Sequence, residues 1–155
     1  MSEADIPKGL VDGLAGSLVG GAGTISDPFV VRCGAWLESA ELLRRAGFAV
    51  LIDLWGVDHP DREMRFEQCA QFLNPETGLR AVLTTSCPAD DPRIQSLVDV
   101  YPNAAWLERE IYDMFGVSFD GHPALQRILC PGDFSGHALR KDCHVDEEGQ
   151  AWPIR

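Results

Sequence analysis

The chain has 155 residues, 45% of them hydrophobic and 24% charged, which is ordinary globular usage for one domain with its own core. Its 13 Lys and Arg stand against 24 Asp and Glu, a formal charge of -11 that repels nucleic acid and anionic membrane surfaces. The longest apolar run, Phe48 to Val57, is interrupted by Asp53 and is far shorter than the ~20 residues a spanning helix needs.

Residues 9–24 hold six of the 15 glycines, so residues 1–27 are expected to be a flexible arm, or one that orders only against a partner. A phosphate-binding loop would need a terminal Gly-Lys-Ser/Thr triplet, which this stretch does not have. The acidic lead, Glu3 and Asp5, differs from the basic start of a secretory signal, and a reducing cytoplasmic setting is the expectation. The five cysteines (Cys33, Cys69, Cys87, Cys130, Cys143) fit that setting, being odd in number and without a CxxC pair.

The core domain is expected over 28–121. Phe29-Val30-Val31 reads as a short strand. Ala35 to Ala46 reads as an amphipathic helix, with Trp36, Ala40 and Leu43 on one stripe, Glu41 and Arg45 paired, and Gly47 at its stop. Phe48 to Trp55 is a nearly continuous apolar run, expected to be a strand covered on both faces. Met64 to Phe72 alternates as a half-buried strand, and Asn74-Pro75-Glu76-Thr77-Gly78 turns it into a second strand over Leu79 to Thr85. A last helix is expected from an Asn103 N-cap through Phe115 to Gly116. The order β-α-β-β-β-α predicts an α+β fold, a mixed or antiparallel sheet with helices packed on one face. Residues 122–155, with Pro123, Pro131 and Pro153 and only short apolar pieces, are expected to be an extended segment that docks on a partner subunit.

The densest charged motif is Trp106 to Gly116. On a helix Arg109 and Asp113 are i,i+4 partners, and Asp113 falls in the last turn, where the dipole disfavours a carboxylate and a cation such as Arg127 or Arg140 should compensate it. Glu108, Glu110 and Asp113 could act as acid–base or proton-relay groups, but an ion-paired helix face is the expected reading. His122, Cys130, His137, Cys143 and His144 invite a metal site. Their gaps are irregular, however, and Cys143-His144 are adjacent, so the spacing does not point to one. No nucleophile elbow or dinucleotide fingerprint is present.

Trp106 to Gly116, with His122 to Leu129 and Asp133 to Asp142, resembles the signature of the 30-kDa subunit family of respiratory complex I, the NADH:quinone oxidoreductase. Val57 to Arg62, Arg65-Phe66-Glu67 and Asp90-Asp91-Pro92 resemble the same family. The sequence departs from the family pattern at Gln126, Phe134, Ala138, Cys143 and His144. The resemblance implies a structural subunit of the peripheral arm, on the cytoplasmic side of the membrane and without direct membrane insertion. It implies no cofactor on this chain, FMN and iron-sulfur clusters on other subunits, and a neighbour resembling a nickel-iron hydrogenase large subunit. Arg109 and Asp113 are then expected to pair internally, within a charged set that includes Glu108 and Glu110, while Arg127, Arg140, Lys141 and Asp142 pair with the neighbour. Two other readings stand beside it. One is the equivalent subunit of a membrane-bound nickel-iron hydrogenase or formate hydrogenlyase-type complex. The other is a small His/Cys metal-binding regulatory protein.

Overall fold

A computed structural model describes residues 8–145 and 151–153. Its elements in chain order are α1 (Lys8–Leu14), β1 (Leu18–Gly20), β2 (Phe29–Val31), a 3-10 turn (Cys33–Ala35), α2 (Trp36–Arg45), β3 (Val50–Asp58), β4 (Phe66–Leu73), β5 (Arg80–Cys87), β6 (Arg93–Gln95), α3 (Ala104–Phe115), β7 (Ser118–Asp120), β8 (Cys143–Val145) and β9 (Ala151–Pro153). Five strands form one mixed sheet in the order β1-β2-β5-β4-β3. All neighbours run antiparallel except β2 and β5, which run parallel with Phe29 opposite Leu83. Two small two-stranded pairings, β6 with β7 and β8 with β9, lie outside it. The α+β class and the mixed sheet are as the element order predicts. No helix among the described residues is long and apolar enough to cross a membrane.

The register explains where the core sits. Across the sheet Leu54, Ala70 and Leu83 share one row, and Leu51, Phe72 and Ala81 the next. All six are buried, and they join one cluster with Trp36, Ala40 and Leu43 of α2 and Ile111 and Phe115 of α3. Burying a large apolar side chain of this kind contributes roughly 1.5–3 kcal/mol. Tyr101, just ahead of α3, ties the two helices' ends to the sheet: its ring meets Phe72 with centroids 5.1 Å apart and its hydroxyl donates to the Phe48 carbonyl at 2.9 Å.

Local chemistry sets the element ends. In the β4–β5 hairpin the Asn74 side-chain oxygen accepts from the Glu76 and Thr77 N–H groups, and Gly78 takes the left-handed φ of +73° that closes the turn. Gly116 ends α3 at φ +77° and returns its N–H to the Tyr112 carbonyl.

Three expectations need correction. Asn103 stands at the N-cap position of α3 as expected but makes no side-chain capping bond; its side-chain amide donates instead to the Leu51 carbonyl of β3 at 2.9 Å. β3 is not covered on both faces: Leu51 and Leu54 are buried, whereas Val50, Ile52 and Trp55 remain about two-fifths exposed (42%, 40% and 38%). Nor is the glycine-rich stretch a loose arm over 8–20. Leu10 and Leu14 of α1 are buried in the core, and β1 adds to the sheet beside β2; residues 1–7 lie outside the described residues. Leucines at i and i+4 on one short helix supply the apolar face that the glycines around them obscure in the sequence.

Candidate functional site: carboxylate clamps beneath the C-terminal segment

Two acids of the α3 motif, Glu108 and Asp113, point inward. Asp113 is fully buried in the last turn. One of its oxygens accepts from the Arg127 guanidinium at 2.8 Å; the other accepts three consecutive backbone N–H groups, Ile128 (3.0 Å), Leu129 (2.8 Å) and Cys130 (2.8 Å). Burial by itself pushes the Asp113 carboxyl up, but the Cys130 and Leu129 N–H groups, Arg127 and the Ile128 N–H outweigh it and hold the pKa at about 2. The helix dipole opposes an anion at this end, and the converging donors overcome it. Arg127 also donates to the Gly136 carbonyl at 2.8 Å, so one guanidinium spans the helix and the loop beyond it.

Arg109 does not pair with Asp113. It stacks on the Trp106 ring with its guanidinium carbon 5.0 Å from the centroid, and it donates to the carbonyls of Gln126 (3.0 Å) and Arg127 (3.2 Å). The i,i+4 spacing allows the pair, but the returning chain takes both side chains, Asp113 through the N–H groups of residues 128–130 and Arg109 through the carbonyls of Gln126 and Arg127. Glu108 is buried on the other side of α3. It accepts from the Ser96 hydroxyl and the Leu97 N–H, both at 2.6 Å, and desolvation, only partly offset by those two bonds, raises its pKa to about 7. Glu110 is exposed.

A second clamp lies at the far end of β3. The buried Asp58 carboxylate receives Arg65 through two bonds of 2.6 and 2.8 Å and the Lys141 N–H at 2.7 Å. Arg65 continues to Asp142 at 2.8 Å, and Asp142 takes both Arg140 bonds at 3.0 Å. Burial would raise Asp58, yet Arg65 and the Lys141 N–H bring it below the usual carboxylate range; Arg140, then Arg65, holds Asp142 lower still. Between the clamps Leu139 N–H donates to the Met114 carbonyl at 3.0 Å. His137 Nδ1–H donates to the Asp113 carbonyl at 3.0 Å, and burial lowers the His137 pKa. His137 also occupies the space beside Gly116, where an added Cβ would lie 2.6 Å from Nε2.

Residues 122–143 thus lie on this chain's own α3 and β3–β4 loop, and the charges of Arg127, Arg140 and Asp142 are engaged within the chain, while the Lys141 side chain is exposed. The expectation of shelter on a companion misses this arrangement, because the fastening uses backbone N–H groups that no side-chain pattern advertises. Residues 146–150 and 154–155 of the expected docking segment lie outside the described residues. Sequence reasoning assigns no role to Asp58, Arg65 or Ser96. Asp58 and Arg65 are visible in the sequence as an acid and a base bracketing a turn, but their third member is 77 residues beyond Arg65.

His122 serves local structure: its Nε2–H donates to the Ala105 carbonyl at 3.0 Å and its Nδ1 accepts the Ala124 N–H. Among the described residues no three His, Cys, Asp or Glu side chains converge where they could hold a metal ion. The five cysteines are free thiols.

The fold is a mixed α+β sheet with an irregular C-terminal segment fastened to it by the buried carboxylates of Asp113 and Asp58. The family model for the respiratory-chain NADH dehydrogenase 30 Kd subunit matches residues 29–149, and the chain belongs to that family. The Rhizobium johnstonii NADH-quinone oxidoreductase subunit designated C is 48% identical over 98 residues, covering 63% of this chain and 48% of that protein. NADH dehydrogenase [ubiquinone] iron-sulfur protein 3 of Beta trigyna is 52% identical over 96 residues, covering 61% and 49%. The chain spans about half the length of these curated relatives. Among solved structures, a trypsin-resistant fragment of Nqo5 matches with a TM-score of 0.60 at 32% identity, covering 64% of this chain and 82% of the fragment. A chain of the membrane-bound sulfane sulfur reductase, an archaeal respiratory membrane complex, shares the fold with a TM-score of 0.66 at 23% identity, covering 81% of this chain and 76% of that one.

Proposed function

We propose that the chain is a structural subunit of the peripheral arm of an NADH:quinone oxidoreductase. In this reading it binds no cofactor, and the FMN and iron-sulfur clusters that move electrons from NADH to quinone sit on its neighbours. The observation that carries the reading is the way the family's charged motif is spent. The Asp113 carboxylate accepts four hydrogen bonds and that of Glu108 two, all from this chain, so the motif fastens rather than reacts. A surface held by buried carboxylates is rigid, and rigidity is what a redox chain asks of the proteins that set its spacings. The outward parts of Arg127, Arg140, Lys141 and Asp142 then face the neighbour resembling a hydrogenase large subunit, on the cytoplasmic side of the membrane. The sulfane sulfur reductase likeness is one of fold alone, whereas the 43–52% identities belong to NADH dehydrogenase subunits, which favours that assembly over its hydrogenase-type relatives.

Co-purification tests this. A tagged chain expressed in its own cells should bring down a large-subunit-like neighbour together with NADH:quinone reductase activity, and Arg140→Ala should lower the yield of the assembly. Recovery of the tagged chain alone, or with hydrogenase subunits, refutes the reading.

A further inference from the structure

Parallel pairing sets Phe29 of β2 opposite Leu83 of β5, and Val30 opposite Thr84. The next step of that register puts Val31 beside Thr85, whose hydroxyl donates to the Val31 carbonyl at 2.9 Å. Two steps further it brings Cys33 beside Cys87. Arg32 is extended, with φ -64° and ψ 146°, so the chain still runs as a strand when it reaches Cys33. Side chains two residues apart on a strand share a face. Cys33 follows Phe29 and Val31 toward the core and Cys87 follows Leu83 and Thr85; Cys87 belongs to the buried cluster and Cys33 packs against it. The two thiols also share a neighbour. The Cys33 Sγ–H donates to the Arg93 carbonyl at 3.4 Å, and the Arg93 main chain bonds the Cys87 sulfur as well. Neighbouring strands lie about 4.8 Å apart, inside the roughly 4.4–6.8 Å between α-carbons that a disulfide spans. The other thiols are placed elsewhere: Cys69 pairs with Thr84 and so stands on the opposite face of the sheet, and Cys130 and Cys143 lie in the C-terminal segment.

We propose that Cys33 and Cys87 are the site of a reversible disulfide, formed when the chain meets a hydroperoxide. Cys33 is half-buried and is the thiol the oxidant reaches, whereas Cys87 is closed to solvent. The Cys33 sulfur, having lost its proton, attacks one peroxide oxygen; the O–O bond breaks, and the leaving oxygen takes a proton to become water or an alcohol. The resulting sulfenic acid is attacked by the Cys87 sulfur, the S–O bond breaks, and the hydroxyl leaves as water with the Cys87 proton. Two thiols give up two electrons and two protons, the peroxide accepts them, and a dithiol reverses the change. Burial, then Asp120, pushes the Cys33 thiol up, and burial, then Cys33, pushes Cys87 up to about 12. Both are therefore protonated at rest, which keeps the reduced form the ordinary one and makes the oxidation slow. The bond fastens the 3-10 turn that leads into α2 to the end of β5, and it takes the Cys33 sulfur off the Arg93 carbonyl. None of this depends on the scaffold reading.

The test uses the full chain, purified reduced and then incubated with hydrogen peroxide. Remaining thiols are alkylated and the protein is digested with trypsin in the absence of reductant. Peptides 33–44 and 81–93 should run as one species in mass spectrometry, lighter than their sum by two hydrogens, and should separate after dithiothreitol. The oxidised chain should melt about 5 °C or more above the reduced one, because its unfolded ensemble carries a long closed loop. Cys33→Ser should show neither the joined peptides nor the rise. Cys87→Ser should leave Cys33 as a sulfenic acid that dimedone traps; if serine at this buried position unfolds the chain, Cys87→Ala gives the same readout. Three results overturn the proposal: Cys33 left unoxidised or carried to the sulfinic acid while Cys87 stays a thiol, other cysteine pairs joined as often as this one, or a midpoint that the bond leaves unchanged or lowers.

Discussion

At the scale of single residues, two buried carboxylates on one helix are set to opposite protonation behaviour by what surrounds them. Glu108, raised to about 7 against an ordinary 4.5, binds a proton in the folded state that the unfolded chain releases. Folding is therefore favoured as the pH falls from about 7 toward 4.5, by on the order of 3 kcal/mol, and this contribution is lost as the pH rises through 7. His137, lowered below 6.5, acts in the opposite sense over part of that window. The measurement is thus a difference: urea midpoints of the parent and Glu108→Gln between pH 5 and 8, where the parent's should fall relative to the variant's as the pH rises. Asp113, held at about 2, gives stability that is complete above the ordinary carboxylate range and lost as the pH falls from about 4 through 2. Asp113→Asn keeps an oxygen for the three N–H groups but removes the charge. It should cost about 3 kcal/mol at neutral pH, the low end for breaking a buried pair because Arg127 still reaches water, and the loss should disappear in unfolding measurements near pH 2.

At the scale of elements, the readable parts of the sequence are those whose instructions are local. α2 carries its stripe and its Glu41–Arg45 pair, the latter formed at 2.9 Å, and the Asn74–Gly78 turn and the Gly116 stop hold their own chemistry within a few residues. What is not readable depends on distant chain. The run over β3 resembles a doubly covered strand, yet Val50, Ile52 and Trp55 are exposed, because nothing in the run itself says which of its faces the rest of the chain covers. The spacing of Arg109 and Asp113 is that of a helix pair, yet the returning backbone at 126–130 takes both side chains. The Asp58–Arg65–Asp142–Arg140 chain joins a strand end to the C-terminal segment, and no short window of sequence contains it. Its outer member offers a clean test of the segment's attachment. Asp142→Asn, at a position 42% exposed, should change global stability by only about 1 kcal/mol or less. It should nonetheless speed trypsin cleavage after Arg140 and Lys141 markedly; an unchanged cleavage rate means the bond does not hold the segment.

At the scale of the whole molecule, a compact sheet domain presents a long irregular segment as part of its surface. Much of that segment is fixed through main-chain groups, the N–H of residues 128, 129, 130, 139 and 141, each received by a carboxylate or carbonyl of the core. A grip of that kind is indifferent to most side chains and strict about count. Phe134 and Ala138 lie between these fixed points, where the grip itself does not depend on which side chain is present. Deleting one residue, Ser135, keeps every fastening group yet shortens the span from Cys130 to Leu139, so it should release the segment to protease where Ser135→Ala does not. Evolution is thereby left free to rewrite the lettering of this ribbon for each new companion, provided the number of links between its rivets stays the same.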